Sequence, residues 1–171
     1  MSVRRAREGD EGTLRSLRLQ AMEDSPSAFG STYEREAART VADWQRWLSP
    51  GATFLFEPPH GEPAGLVASV LDDADPSVAH LMAMWVHPAS RGTGGGDALV
   101  GEVLAWAAEA GATAVRLYVR SANLPAVRLY ERHGFARTGR ERIRPPNGFV
   151  DLEMMALPLR RRRRGGRGGG R

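Results

Sequence analysis

The sequence contains no cysteine and no lysine, because all 24 of its basic residues are arginine. Without cysteine there are no disulfides, no thiolate nucleophile and no cysteine-ligated zinc. Without lysine the chain cannot form a Walker-type phosphate loop or a Schiff base, since both need the side-chain amine. Any chemistry of this chain must therefore come from other groups, and we expect no metal.

Long apolar runs are also missing. No stretch approaches the ~20 apolar residues that a membrane span requires. The start, Met1 to Arg5, enters charged residues without the apolar segment and cleavage site of a signal peptide. We therefore expect a cytoplasmic protein with no membrane partner. Hydrophobic residues make up 42% of 171 residues, which predicts one globular domain over residues 1–159.

The net charge of +4 comes from the end of the chain. Seven arginines lie at or beyond Arg160, and residues 1–159 hold 17 arginines against 20 acidic residues, a balance of −3. Residues 160–171 contain mainly arginine and glycine, and we predict a disordered tail. Such a tail can attract nucleic acid by charge, but it lacks aromatic residues that stack on bases. We do not expect nucleic acid as a partner.

Hydrophobic periodicity and turn residues predict a mixed α/β sheet of six to seven strands flanked by helices. Strands are expected at 2–7, 52–57, 64–71, 78–87, 113–119, 135–144 and 149–157, the last two joined by a Pro-Pro-Asn-Gly turn at 145–148. Helices are expected at 94–110 and 124–133. The order is β-α-α-β-β-β-α-β-α-β-β, which counts two helices after the first strand although segments 10–22, 33–39 and 43–48 all have helical patterns. Asp10 is a candidate N-cap.

A glycine-rich loop, Arg91-Gly92-Thr93-Gly94-Gly95-Gly96, lies between a predicted strand and a predicted helix. Glycines allow backbone N–H groups to converge on one point, and the following helix adds its positive end, which together predict a site for phosphate or pyrophosphate. The Rossmann spacing fails, because Asp97 or Leu99 stands where its last glycine is required. A strand-loop-helix cradle remains, with the planar guanidinium of Arg91 at its mouth.

A second block follows at the end of the next predicted strand. Asn123 begins a helix, Tyr130 lies two turns later, and Gly134-Phe135 closes the unit, with Ala126-x-x-Leu-Tyr-Glu between them. With the Arg-x-x-Gly-x-Gly loop, this sequence resembles the GNAT superfamily of N-acetyltransferases. The resemblance covers about His80 to Phe135. It implies acetyl-coenzyme A as acyl donor and a primary amine, on a small molecule or a peptide N-terminus, as acceptor.

The resemblance also implies roles for particular residues. The implied cofactor contacts come from three segments: the backbone of Arg91, Gly92, Thr93, Gly94, Gly95 and Gly96 on the pyrophosphate, Met84, Trp85 and Val86 on the pantetheine arm, and Asn123 by a hydrogen bond. The strand that ends at Val86 and the next strand are expected to splay apart to admit the arm. Tyr130 is implied near the sulfur, where its hydroxyl would act as general acid.

Two residues of the loop depart from the family pattern. The family has a bulky aliphatic residue at position 95, and here it is glycine, so we expect a loosened first helical turn. Asp97 suits the helix dipole but repels phosphate, so we expect modest cofactor affinity.

The sequence specifies the general base and the acceptor site less closely than the cofactor site. His80 is one candidate base, and strand alternation predicts that it shares a face with Met82, Met84 and Val86. Glu34 and a water relay are the alternatives. Phe29 and Tyr33 are expected over the mouth of the cleft, where they would contact the acceptor.

Other functions stay open. A non-catalytic acetyl-coenzyme A sensor would keep the pocket and lose the chemistry, and a nucleic-acid-associated protein would act through its basic tail. The sequence does not fix the oligomeric state, and a homodimer is open because dimers are common in the family.

Overall fold

The computed structural model describes residues 1–144 and 149–159. The predicted turn at 145–148 and the predicted tail at 160–171 lie outside the described residues. Seven strands form one sheet in the order β1-β2-β3-β4-β5-β7-β6. Neighbouring strands are antiparallel except β4 and β5, which are parallel. No helix in these ranges is long and apolar enough to cross a membrane.

The elements follow the predicted order closely. The strands are β1 Ser2–Arg5, β2 Ala52–Glu57, β3 Gly65–Leu71, β4 Val78–Val86, β5 Ala114–Arg120, β6 Ala136–Ile143 and β7 Val150–Pro158. The α-helices are α1 Glu11–Asp24, α2 Tyr33–Ala37, α3 Val41–Trp47, α4 Gly95–Glu109 and α5 Leu124–Arg132. Three α-helices therefore separate β1 from β2 where the predicted order counted two, because α2 and α3 each have their own threonine N-cap.

Asp10 precedes α1, as predicted, but its carboxylate does not cap the helix. The guanidinium of Arg4 donates two hydrogen bonds of 2.8 Å to it, and the backbone N–H of Arg7 donates a third, also at 2.8 Å. These bonds, above all those from Arg4, lower the pKa of Asp10 despite its burial. A charged donor is a stronger partner for the carboxylate than the helix N–H groups, so Asp10 fastens β1 to α1 instead.

Two apolar clusters cover the two faces of the sheet. One packs α4 and α5 on the sheet and includes Phe56, Leu99 and Val127. The other packs α1 and α3 on the opposite face and includes Leu17, Trp44, Leu66 and Trp85. Helices thus cover both faces.

β4 contains a bulge at Ala83, whose φ of 55° lies in the left-handed region. Across from it, β3 advances from Leu66 to Ala68 while β4 goes from Trp85 back to Met82, so β4 has one extra residue. The predicted alternation is therefore wrong beyond the bulge. Met84 and Val86 pack with the α4 and α5 cluster, whereas Trp85 belongs to the α1 cluster, because the extra residue reverses which side chains face each layer.

β4 and β5 also part from each other. Their parallel pairing covers only Val78 to His80 on β4 and Ala114 to Arg116 on β5, although both strands continue past these residues. The splaying that the family resemblance implied is thus present, and it begins just before the bulge.

Gly95 packs against an aromatic ring, so the loosened first helical turn expected from the sequence is wrong. It is buried, and a Cβ atom built on it would lie 2.8 Å from the ring of Phe56. Phe56 is fully buried in the α4 cluster, so its ring cannot move aside cheaply. The ring from β2 fills the space of the family's aliphatic side chain, and the first turn of α4 is packed rather than loosened.

Gly95→Ala should therefore destabilise the protein by about 1–3 kcal/mol through overpacking. Gly101→Ala is the matched control, because it lies on the same helix, is exposed and has nothing within 4 Å of a built Cβ. That substitution should stabilise the protein by about 0.5–1 kcal/mol. Urea unfolding would measure both, and the Gly95→Ala penalty should shrink in a Phe56→Leu background. Equal effects at the two glycines would contradict this packing.

Candidate functional site

The glycine-rich loop borders a cleft of about 470 Å³, which we call the loop cleft. Its walls are the end of β4 from Met84 to Val86, the Arg91–Gly96 loop, the start of α5 at Asn123, and Phe29 from the segment after α1. The side chain of Asn123 accepts a hydrogen bond of 3.3 Å from the N–H of Ala126 and so caps α5. Strand, loop and helix start therefore converge on one cavity.

The loop presents a row of unpaired amides. Gly92 and Gly94 have φ values of 78° and 91°, which glycine adopts without steric cost. The N–H of Arg91 bonds Pro88 and that of Ala98 bonds Gly94, but the N–H groups of residues 92–97 have no hydrogen-bond partner among the described residues. They stand at the positive end of the fifteen-residue helix α4. Such an arrangement fits a diphosphate, because each amide can donate to an anionic oxygen.

Asp24, at the end of α1, organises the mouth of the loop cleft, a role that sequence reasoning missed. It accepts a hydrogen bond of 2.9 Å from Trp85 Nε1 and pairs with the guanidinium of Arg91. Arg91 Nε also donates to the carbonyl of Val86 at 3.0 Å. Desolvation raises the pKa of Asp24, but the bonds from Trp85, Ser25 and Arg91 together lower it below its ordinary value. Arg91 is thereby held against the end of β4.

Asp97 does not leave an uncompensated negative charge in the loop cleft. Arg132 donates to it at 2.9 Å and His133 Nε2 lies 3.1 Å from its other oxygen. Desolvation raises the pKa of Asp97, and the bonds from Arg132 and His133 outweigh that effect and lower it. Arg132, which also lines the cleft, offsets the charge of Asp97 and so reduces the expected repulsion of a phosphate. Modest cofactor affinity stays a prediction.

A second cavity of about 540 Å³ lies beside the bulge of β4, and we call it the bulge cleft. β4 contributes His80 to Ala83, β5 contributes Leu117 and Tyr118, and the α1 and α2 region contributes Arg18 and Glu36. Both clefts include Ala28 and Phe29, and they divide β4 between Ala83 and Met84. The two cavities therefore adjoin at the break between β4 and β5.

The structure gathers most of the predicted site residues and leaves some apart. Those that line the loop cleft are Met84, Trp85, Val86, Arg91, Gly92, Gly94, Gly96, Asn123 and Phe29. Thr93 lies outside this lining and bonds the carbonyl of Ser90 through its hydroxyl at 2.7 Å, and Gly95 is buried beneath Phe56. Tyr33 and Glu34 are exposed and line neither cleft.

The carboxylate that α2 turns inward is Glu36, which is 1% exposed. Sequence reasoning missed it because a helix of five residues is too short to reveal its buried face by periodicity. Tyr118 was also missed: it is exposed on β5 and lines the bulge cleft.

Tyr130 lies on α5 with its ring 5% exposed and packed edge-on against Phe135, at 5.8 Å between centroids. It is outside the lining of both clefts. Burial alone raises the pKa of its phenol above the ordinary value near 10. The hydroxyl therefore stays protonated at neutral pH.

His80 lines the bulge cleft and has a carboxylate partner. Its Nε2 lies 2.7 Å from Asp72 Oδ2 across the hairpin that joins β3 to β4. The hydrogen bond to His80, together with N–H groups of Asp75 and Ala74, lowers the pKa of Asp72. An ionised Asp72 fixes the tautomer with the proton on Nε2, so Nδ1 is the nitrogen that can accept a proton.

Comparison with known proteins identifies the family of this chain. Residues 18–135 match the model of the acetyltransferase (GNAT) family. The chain belongs to that family, whose members use acetyl-coenzyme A, and the sequence prediction of family and fold is confirmed.

Two curated relatives are mycothiol acetyltransferases. The one from Thermobispora bispora is 35% identical over 132 residues, which are 75% of this chain and 43% of the relative. The one from Arthrobacter sp. is 29% identical over 131 residues, covering 75% and 40%. The chain thus spans less than half the length of these relatives.

Solved structures share the fold at low sequence identity. A GNAT acetyltransferase from Streptococcus pneumoniae has a TM-score of 0.81 at 21% identity, covering 93% of this chain and 99% of that one. The spermidine N-acetyltransferase of Vibrio cholerae, in complex with coenzyme A and spermine, has a TM-score of 0.73 at 17% identity, covering 92% and 94%. These similarities establish the architecture. They do not identify the acceptor of this chain.

Gly92→Ala should weaken acetyl-coenzyme A binding by about tenfold or more, because a side chain at φ 78° forces the loop amides out of line. Gly111→Ala is the matched control. It lies at the other end of α4, with φ 86° and equally open surroundings, so both variants should lose similar stability. Calorimetry with acetyl-coenzyme A would measure the affinities. Equal affinities in the two variants would show that the loop does not hold the cofactor.

Proposed function

We propose that the chain is an N-acetyltransferase that moves an acetyl group from acetyl-coenzyme A to a primary amine by direct attack. The observation that supports it best is the meeting of two clefts at one break in the sheet, with anion-binding amides on one side. A donor with a diphosphate and an acceptor could thus approach each other from opposite sides of the Ala83–Met84 boundary.

The residues of the loop cleft fit coenzyme A. The unpaired amides of residues 92–97 would hold its diphosphate at the positive end of α4, and Arg132 offsets the charge of Asp97 beside them. Beyond His80, β4 has no pairing with β5, so the backbone of Met84 to Val86 would be available to the pantetheine arm as to an added strand. When bound, acetyl-coenzyme A supplies an acetyl group already activated as a thioester.

Transfer requires a neutral amine, a polarised carbonyl and a protonated leaving group. The amine nitrogen forms a bond to the acetyl carbon, the carbon–sulfur bond breaks, and the electron pair goes to sulfur. Tyr130 is our choice for the proton donor to that sulfur, because the family resemblance implies that role at its position. Its hydroxyl is protonated at neutral pH, but it lines neither cleft, and burial, which raises its pKa, makes it a weaker acid. No covalent enzyme intermediate is needed.

His80 is our choice for the base. It lines the bulge cleft, where the acceptor would lie, and Asp72 orients its ring so that Nδ1 can accept the ammonium proton. Glu36 lines the same cleft, and Glu34, the sequence-based alternative, is exposed outside it. The names of the curated relatives suggest a mycothiol-related acceptor. Because the match covers under half of those proteins, we base the proposed acceptor on the residues of this chain's own clefts instead.

A thiol-release assay with acetyl-coenzyme A and a panel of amines tests the proposed function. We expect amine-dependent release of coenzyme A, and Tyr130→Phe should lower turnover by about 10²-fold because the leaving thiolate loses its proton donor. Binding of acetyl-coenzyme A without release for any amine would support the sensor alternative.

The same variant provides its own control. Burial alone accounts for the raised phenol pKa, so removal of the hydroxyl should leave the unfolding temperature and acetyl-coenzyme A affinity nearly unchanged. Wild-type turnover in Tyr130→Phe would remove this residue from the mechanism.

His80→Ala should lower turnover by about 10²-fold at neutral pH, where alkyl amines are mostly protonated. The loss should diminish as the pH rises, because the free amine then forms in solvent. Asp72→Ala should cause a smaller loss, since it only orients His80. His60→Ala is the control, because His60 is exposed in a turn outside both clefts. A pH-independent loss in His80→Ala would argue against a base.

A further inference from the structure

The bulge cleft differs in charge from the domain around it. Residues 1–159 carry a balance of −3, but the cleft is lined by Arg18, Arg35 and Arg39 against one acid, Glu36. With His80 neutral, that lining has a formal charge of +2. A local positive charge attracts anionic groups and opposes polycations, because nearby charges act more strongly than distant ones across solvent.

Arg18 is buried, and its charge is only partly neutralised. It is 6% exposed, and its Nε lies 3.7 Å from Glu36 Oε2, which is too long for a hydrogen bond. Arg39 Nε donates to that same oxygen at 2.8 Å. Two nitrogens of Arg18, Nε and Nη1, are buried without a hydrogen-bond partner among the described residues. Unsatisfied charged donors are costly, so they mark a place where a ligand gains binding energy.

Two aromatic rings contact the Arg18 guanidinium. Its central carbon lies 4.6 Å from the centroid of the Phe29 ring and 5.4 Å from that of Trp47. These contacts hold the guanidinium at the wall of the bulge cleft, which Arg18 lines. Arginine stays charged even where burial lowers its pKa.

We propose that the amine acceptor carries a carboxylate, as a free amino acid does, and that the edge of Arg18 binds it. This inference rests on the proposed acetyl transfer, since it names the acceptor class of the same site. A planar carboxylate matches the fork of a guanidinium. Phe29 contacts Arg18 and also borders the loop cleft, so a carboxylate bound there lies beside the boundary where acetyl transfer would occur.

The cleft also carries apolar side chains. Leu81 and Leu117 are buried in its wall, and Met82 and Tyr118 are exposed there. An amino acid with an apolar side chain therefore fits better than a polyamine, which would bring two or more positive charges to a positive lining.

The first test compares L-phenylalanine, L-phenylalaninamide and spermidine as acceptors for the wild-type enzyme. We expect kcat/KM for the amino acid to exceed that for the amide by about 10- to 100-fold, the range of a charge-assisted hydrogen bond. The amide's amine is the less basic of the two, so without a carboxylate site the preference would favour the amide. Equal use of acid and amide, or a preference for spermidine, would overturn the inference and leave acetyl transfer intact.

The second test measures binding without turnover. Calorimetry with N-acetyl-L-phenylalanine and its amide should show about tenfold or more tighter binding of the acid, lost in Arg18→Met and weakened in Arg18→Lys. Arg15→Met is the matched control, because Arg15 is exposed on α1 outside both clefts.

Failure of the carboxylate site and failure of the proposed acetyl transfer give different results. If Arg18→Met does not fold, the comparison of acid and amide on the wild-type protein decides. Equal binding of the two overturns the carboxylate site. Preferential binding of the acid without turnover of any amine supports the site and overturns the proposed function.

Discussion

The site depends on one constraint in β4: it leaves β5 after His80 and takes an extra residue at Ala83. The separation of β4 from β5 leaves an unpaired strand edge inside the sheet. Backbone N–H and C=O groups inside a protein need hydrogen-bond partners. The bulge then sends Met84 and Val86 to one layer and Trp85 to the other. A left-handed alanine is costly, so the surrounding pairing with β3 must hold it. One strand thereby borders two clefts.

The charge of each cleft depends on local ion pairs, and the net charge of the chain does not indicate it. Asp97 would oppose an anion at the start of α4, yet Arg132 and His133 bind it and leave the loop suited to phosphate. Arg18 shows the converse case, because Glu36 lies 2.8 Å from Arg39 but 3.7 Å from Arg18, which is too long for a hydrogen bond. A mildly acidic domain thus contains one cleft with a positive lining and another whose acidic residue is paired with an arginine. The same logic explains Asp10, whose partner is Arg4 rather than the helix it precedes.

Local signals let the sequence predict the elements, the glycine loop and the helix start at Asn123, because turn residues and helix starts are encoded within a few positions. Features that depend on distant contacts were not predictable. Ala83 carries no glycine signal for its φ, and Gly95 makes sense only once Phe56 of β2 lies over it. The Asp72–His80 pair lies between these cases, since its residues flank one hairpin and the register would have revealed it.

A shared fold indicates the type of reaction better than it indicates the acceptor substrate. The neighbours with this architecture include a spermidine acetyltransferase at 17% identity, and a fold at that distance does not carry a substrate with it. What distinguishes this chain is the lining next to the bulge, where three arginines meet one glutamate. A polyamine site needs acidic groups to receive its charges, and this lining offers mainly donors. The proposed donor side therefore rests on features that this chain shares with its family, while the proposed acceptor side rests on this chain's own side chains.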